Sequence, residues 1–199
     1  EKGINALYTW CRWEPKLLKF VIQRFKKRCR IDGELPPSTS FSLSQRKQKL
    51  LQNPFVAWFW INLGFFDYFL QVKEKIFHSL KSKQIVICDR YIFDFVIDQA
   101  VNLGGGIDNI ERILSYNFTM FFPMPKLLFI LRLSPEIAVE RKQDGTTLEY
   151  LNQRQYLYSY FSNYKDAVVI DVDGSIDAVA TIIKVKTNEF LKENGIDYE

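Results

Sequence analysis

Four short apolar runs, each closing on polar residues, constrain this chain more than anything else in it. The first, over 4–10, carries Ala6, Leu7, Tyr8 and Trp10 and leads to Arg12. The second, 84–88, ends at Asp89 and precedes a helical pattern over 91–103. The third, 127–133, ends at Ser134-Pro135, a natural N-cap followed by a natural first helical residue, before a helix over 136–142. The fourth, 167–172, ends at Asp173-Gly174-Ser175 and opens a last helix over 176–193. Short β-branched strands buried on both faces and alternating with helices predict an α/β fold. Its parallel sheet is covered by helices on both faces, in three layers. Ligands of such sheets lie beyond the carboxyl ends of the strands. Arg12, Asp89, Arg90, Ser134 and Asp173 are expected at that rim.

Between these runs the sequence is mostly helical. Leu17, Leu18, Val21, Ile22 and Phe25 give one apolar face to the stretch 16–30, whose basic cluster Lys26, Lys27, Arg28 and Arg30 is read as its solvated side. The stretch 32–53, with Pro36-Pro37 and several Ser, Gln and Lys, reads as a mobile surface connection. From 55 to 81 runs a long helix, apolar on nearly all sides until Lys73, and therefore expected to be buried for most of its length. Gly104-Gly105-Gly106 follows no strand and reads as a turn. With 17 Phe among an aromatic fraction of 16%, the chain can fill one large core, so a single domain over 1–199 is expected.

Charge and cysteine content exclude several functions. Twenty-seven basic against 23 acidic residues leave a net charge of only +4, weaker than a nucleic-acid footprint usually is. Cys11, Cys29 and Cys88 have no zinc spacing and form no even-numbered disulfide framework, which points to a reducing, cytoplasmic setting. No run reaches the ~18–20 uninterrupted apolar residues of a membrane span; Asn62 and Asp67 interrupt the most apolar one. His78, the only histidine, lies at the polar end of the long helix and is read as a surface residue. The tyrosines at 150, 156, 158, 160 and 164 are read as helix packing.

The chemistry is expected at Asp89-Arg90. A strand ending in a carboxylate can hold a hydrated magnesium ion opposite a nucleotide phosphate, and the adjacent guanidinium can donate two hydrogen bonds to phosphate oxygens. An ion pair tying the helix start to the sheet is the alternative.

Asp89-Arg90-Tyr91, with Gln99 eight residues after Tyr91, resembles the Asp-Arg-Tyr signature of the thymidylate kinases, within the P-loop nucleoside monophosphate kinases. Arg12-Trp13-Glu14-Pro15 is similar to that family's Arg-Glu-Pro, with one residue inserted. Phe65-Phe66-Asp67-Tyr68 stands at its Ala-Asp-Arg, and Pro135-Glu136, Glu140-Arg141 and Ile170-Asp171 at its Pro-Glu, Glu-Arg and Ile-Asp. The resemblance extends over nearly the whole chain. It implies a P-loop fold that transfers the ATP γ-phosphate to a nucleoside monophosphate. ATP and magnesium are the implied cofactors and a nucleotide the implied partner, without nucleic acid or membrane, and a homodimer is the assembly open to it.

Carried over, the resemblance implies that Asp89 positions magnesium while Arg90 and Arg12 hold the acceptor's phosphate or the transferring group. Arg141, with Lys142 and Arg154, would close from a short lid over 141–149, and Asp173 and Gly174 would lie beside the adenine. Acceptor contacts would fall to Asp67, Tyr68, Tyr91, Phe95, Asp98 and Gln99. Tyr68, Phe95 and Asp98 depart from the pattern that meets thymine, so an acceptor other than dTMP is open. A kinase of another small acceptor and an inactive nucleotide- or partner-binding module are the competing readings.

One motif is absent: no G-x-x-x-x-G-K-[ST] occurs in the 199 residues. The first Met is Met120, and Glu1-Lys2-Gly3 reads as the tail of a helix. A strand, phosphate loop and helix of roughly 25–35 residues are therefore expected upstream.

Overall fold

The computed structural model describes residues 5–20, 23–24, 49–141 and 146–196. The basic cluster at 26–30, Cys29, most of the connection over 32–53, Lys142 and the residues before Asn5 lie outside the described residues. The fold is mixed α/β with parallel strands. The chain divides into two compact units, one spanning Asn5–Pro123 and one beginning at Met124.

In the first unit, strand β1 (Ala6–Trp10) pairs in parallel with β2 (Ile85–Asp89), in register from Ala6 opposite Ile85 to Trp10 opposite Asp89. Between them runs helix α1 (Pro54–Lys81), started by Asn53, whose Oδ1 accepts from the amides of Phe55 and Val56. Pro54 follows the cap where its missing N–H costs nothing. Helix α2 (Ile92–Asn102) follows β2, and a turn leads to α3 (Ile107–Leu114). In that turn Gly104 and Gly105 take φ of 115° and 79°, which only glycine adopts readily. The core is aromatic: Phe95 packs on Phe65 at 4.6 Å and on Tyr68 at 5.2 Å, and Phe122 closes over both.

Helix α1 corrects one expectation. Ala57, Ile61, Gly64, Phe65, Tyr68, Val72 and Ile76 are buried at helical spacing, but Phe55, Phe59, Phe66 and Leu70 form an exposed stripe on the other side. A helix buries only the face that meets a neighbour, so apolar composition all round does not make it buried all round. By length and composition α1 could cross a membrane. Yet its buried face carries Asp67 and Gln71, both bonded to the segment after β1, as befits a core helix of this unit.

That segment is held from below. Asp67 accepts from Trp13 Nε1 at 3.1 Å and from the backbone amides of Lys16 and Leu17 at 3.0 and 3.2 Å. Gln71 donates to the carbonyl of Glu14, Tyr68 to that of Cys11, and Lys75 to that of Trp10. Gly64 completes the fit, since a Cβ there would stand 3.2 Å from the Phe95 ring and 3.8 Å from Trp13.

In the second unit, β3 (Leu128–Arg132) pairs in parallel with β4 (Ala167–Asp171), from Leu128 opposite Ala167 to Arg132 opposite Asp171. Helices α4 (Pro135–Arg141), α5 (Leu148–Tyr160) and α6 (Ile176–Glu193) accompany them. Thr147 caps α5 and Ser175 caps α6 through their hydroxyls. Among the described residues of this unit, Ile130, Leu157, Phe161, Ile170 and Leu191 are buried.

Removing the Asp67 carboxylate leaves three donors without their acceptor in a part-buried setting. Asp67→Ala is expected to lower unfolding free energy by about 3 kcal/mol, read as a shift of the urea midpoint. A midpoint within experimental error of the parent would show that the segment is held some other way.

Candidate active site

Parallel pairing with Trp10 opposite Asp89 brings the carboxyl ends of β1 and β2 together, and the Cys11 amide extends the ladder by donating to the Asp89 carbonyl at 2.9 Å. Arg12 and Arg90, one residue further along each chain, thus leave neighbouring strand ends. Asp89 accepts a hydrogen bond from the Tyr8 hydroxyl at 2.9 Å, which raises the Tyr8 pKa.

Helix α2 answers both arginines. Arg90 sits in the left-handed region at φ 62° and donates from Nη1 to Asp94 at 2.7 Å. The other Asp94 oxygen accepts from the Tyr91 amide at 3.2 Å. One turn on, Asp98 faces the Arg12 guanidinium at 3.8 Å. Two guanidiniums from two strands therefore meet two carboxylates spaced four residues apart on one helix.

Beneath them lie the other expected acceptor residues. Tyr68 is 1% exposed and its hydroxyl is committed to the Cys11 carbonyl. Phe95 is core, with Trp13 edge-on at 5.1 Å. Asp67 is the clamp described above. Burial drives the Tyr68 and Tyr91 hydroxyls well above the ordinary tyrosine range. Gln99, 1% exposed, accepts at Oε1 from Trp60 Nε1 at 3.0 Å and from Asn102 at 3.2 Å. Its Nε2 and the Tyr91 hydroxyl are buried atoms without a partner among the described residues. The neighbouring Cys11 thiol and burial push the Cys88 thiol above its ordinary range.

In the second unit Arg132 holds Asp171 through two hydrogen bonds, at 2.5 and 2.9 Å. Asp173 accepts from the amide and the hydroxyl of Ser134. Ser134 stands at the N-cap position its sequence predicts, its carbonyl accepting from the Ala138 amide, while its hydroxyl donates to Asp173. Arg141, at the end of α4, lowers the Asp173 pKa further by its charge, after the Ser134 bonds. Gly174 needs neither a positive φ nor empty space beside it. Arg154 lies 5.7 Å from the rings of both Tyr150 and Tyr158 and donates to their hydroxyls, so two of the tyrosines read as helix packing flank a cation.

Among the described residues no three His, Cys, Asp or Glu side chains converge on a common point. Asp89 stands as a single carboxylate donor. Magnesium suits such a place, because it is commonly held by one or two carboxylates with phosphate oxygens and water completing its shell.

Sequence reasoning missed Asp94, Trp13, Trp60 and the locking role of Asp67. A signal existed for two of them: an acid in an apolar helix must be paired when buried, and Asp94 lies four residues after Arg90 at ion-pair spacing.

The thymidylate kinase family model matches residues 24–183, running through both units. A thymidylate kinase of Caldicellulosiruptor saccharolyticus is 29% identical over 131 residues, covering 61% of this chain and 63% of that protein. A thymidylate kinase of Leptospira interrogans is 32% identical over 108 residues, covering 52% of this chain and 51% of that protein. One of a Geobacillus species is 36% identical over 76 residues, covering 38% and 35%. The chain spans less than two thirds of the length of these curated relatives.

Asp171 and Asp173 are both depressed in the fold, chiefly by their bonds to Arg132 and Ser134. Their stabilisation is complete above the ordinary aspartate value near ~4 and drains away as pH falls below it. Melting temperature should fall as pH drops from about 4 toward 2, and the slope should flatten in the Asp171→Asn/Asp173→Asn double variant. An equal slope in both proteins would rule this linkage out.

Proposed function

The chain belongs to the thymidylate kinase family, and from that premise we propose that it is an ATP-dependent phosphotransferase acting on a nucleoside monophosphate, with dTMP the first acceptor to test. The observation that carries the reading is the pairing of β1 and β2, which sets Arg12 beside Asp89-Arg90 at one strand-end rim. The Arg12 and Arg90 side chains are 50% and 43% exposed there.

The proposed roles follow from chemistry. Magnesium-bound ATP, when present, supplies the phosphoryl group and a divalent charge that bridges its oxygens. Asp89 offers the carboxylate for that ion. Arg12 and Arg90 neutralise and orient the acceptor's phosphate, where a planar guanidinium gives two parallel hydrogen bonds. Gln99 presents a buried amide donor and Tyr91 a buried hydroxyl toward the acceptor, on a floor formed by Phe95 and Tyr68. Asp67 and Asp98 act through the Arg12 segment, the first by anchoring its backbone and the second by pairing with its guanidinium. Arg141, Arg154 and Lys142 are assigned to the donor phosphates, and Asp173 and Gly174 to the loop beside the adenine. The 199 residues contain no G-x-x-x-x-G-K-[ST], so these side chains alone do not make a complete phosphate cradle. A cytoplasmic enzyme, a nucleotide as partner and a homodimeric assembly complete the proposal.

One observation favours a second acceptor class. Tyr68 stands where the family's arginine would read the base, and its hydroxyl is already spent on Cys11. An acceptor not read at that position, such as another small phosphorylated compound, fits this arrangement.

Coupled assays of ATP consumption with dTMP, the other nucleoside monophosphates and small phosphorylated acceptors separate the two readings. For the acceptor that works, Asp89→Asn should lower kcat by about 10²–10³ with the melting temperature preserved. Undiminished turnover in that variant would overturn the assignment.

A further inference from the structure

Asp94 belongs to none of the roles above, yet it accepts from Arg90 at 2.7 Å, closer than Asp98 stands to Arg12 at 3.8 Å. The Asp94 side chain is 15% exposed, and its two oxygens take different partners. One takes the Tyr91 amide at the start of α2; the other takes Arg90 Nη1. The first bond fixes the carboxylate to the helix frame, as a residue at the third helical position does when it reaches back to the cap amide. The second then fixes the guanidinium to that frame. Arg90 needs such a tether, because a long side chain on a left-handed backbone position has many rotamers to lose when it binds.

A parallel arrangement holds Arg12. Asp98 lies one helical turn beyond Asp94, so the two guanidiniums are drawn to points roughly 5–6 Å apart along α2. That spacing suits one phosphate bracketed from two sides. The Arg12 contact, at 3.8 Å, is the looser of the two.

We propose that Asp94 is a positioning residue, which pre-orders Arg90 for the phosphate of the acceptor. The proposal deepens the kinase reading and rests on it for the identity of the phosphate's owner. It is opposed by a competing effect: a carboxylate beside the guanidinium also repels a phosphate. Partial exposure of Arg90 screens that repulsion, whereas the ordering gained from a bond anchored in the helix is not screened.

Two variants separate the effects. Asp94→Asn removes the charge and keeps a single acceptor oxygen, which serves Arg90 or the Tyr91 amide but not both, because its Nδ2 only donates. Asp94→Ser keeps a helix-capping hydroxyl but is too short to reach the guanidinium. Inorganic phosphate titrated by calorimetry into the full chain gives a readout independent of turnover. Positioning predicts that Asp94→Ser weakens phosphate binding about tenfold while melting near the parent temperature, and that Asp94→Asn, which keeps one oxygen able to reach Arg90, weakens it less than Asp94→Ser does. In an Arg90→Ala background the Asp94→Ser change should have no further effect, which identifies Arg90 as the route.

Tighter binding in both variants would make Asp94 a competitor and overturn the proposal. So would unchanged binding in Asp94→Ser, or a parent protein that binds no phosphate. Acceptor KM should follow the same pattern with ATP KM unmoved. A parent that binds phosphate in the Asp94-dependent way but turns over no acceptor would sink the kinase reading and leave the positioning role standing.

Discussion

A single buried carboxylate decides where the rim of the first unit lies. Asp67 gathers the indole N–H of Trp13 and the amides of Lys16 and Leu17, and so ties the chain that leaves β1 to the face of α1. Buried polar groups cost free energy unless they are bonded, and bonded ones specify one arrangement over its neighbours. The carbonyls of Trp10, Cys11 and Glu14 are each taken by another α1 side chain. A segment that would otherwise be a loose connection becomes a fixed edge, and Arg12 stands on it.

Strand register does the remainder of the positioning. Because β1 and β2 are parallel and Trp10 faces Asp89, both strands end together, and the residues that follow them emerge side by side. Arg12 and the adjacent pair Asp89-Arg90, far apart in sequence, thereby share one rim, and α2 supplies carboxylates at Asp94 and Asp98. The outcome is a mixed surface in which each of the two arginines faces a carboxylate of α2.

Much of this was legible in the sequence. The four strands and the helices that follow the last three are where apolar run length, caps and periodicity put them; the last helix begins at Ile176, after the Ser175 cap, as its sequence predicts. Asp89-Arg90 was legible as a strand-end pair. The exposed stripe of α1 was not, because composition states how apolar a helix is and not which face meets a neighbour. The commitments of Tyr68 and of Ser134 were hidden for a related reason. A hydroxyl's partner is chosen by distance in space, and Cys11 and Asp173 are remote along the chain.

Local chemistry along the chain therefore determined the α/β class, the boundaries of most elements and the residue types gathered at strand ends, since these depend on interactions within a few residues. Tertiary structure alone decided that Asp98 meets Arg12, that Asp67 anchors a neighbouring segment, and that Gly64 admits Phe95 and Trp13 against α1. Those outcomes depend on contacts between segments remote along the chain, and such contacts form only when packing and register have brought the segments together.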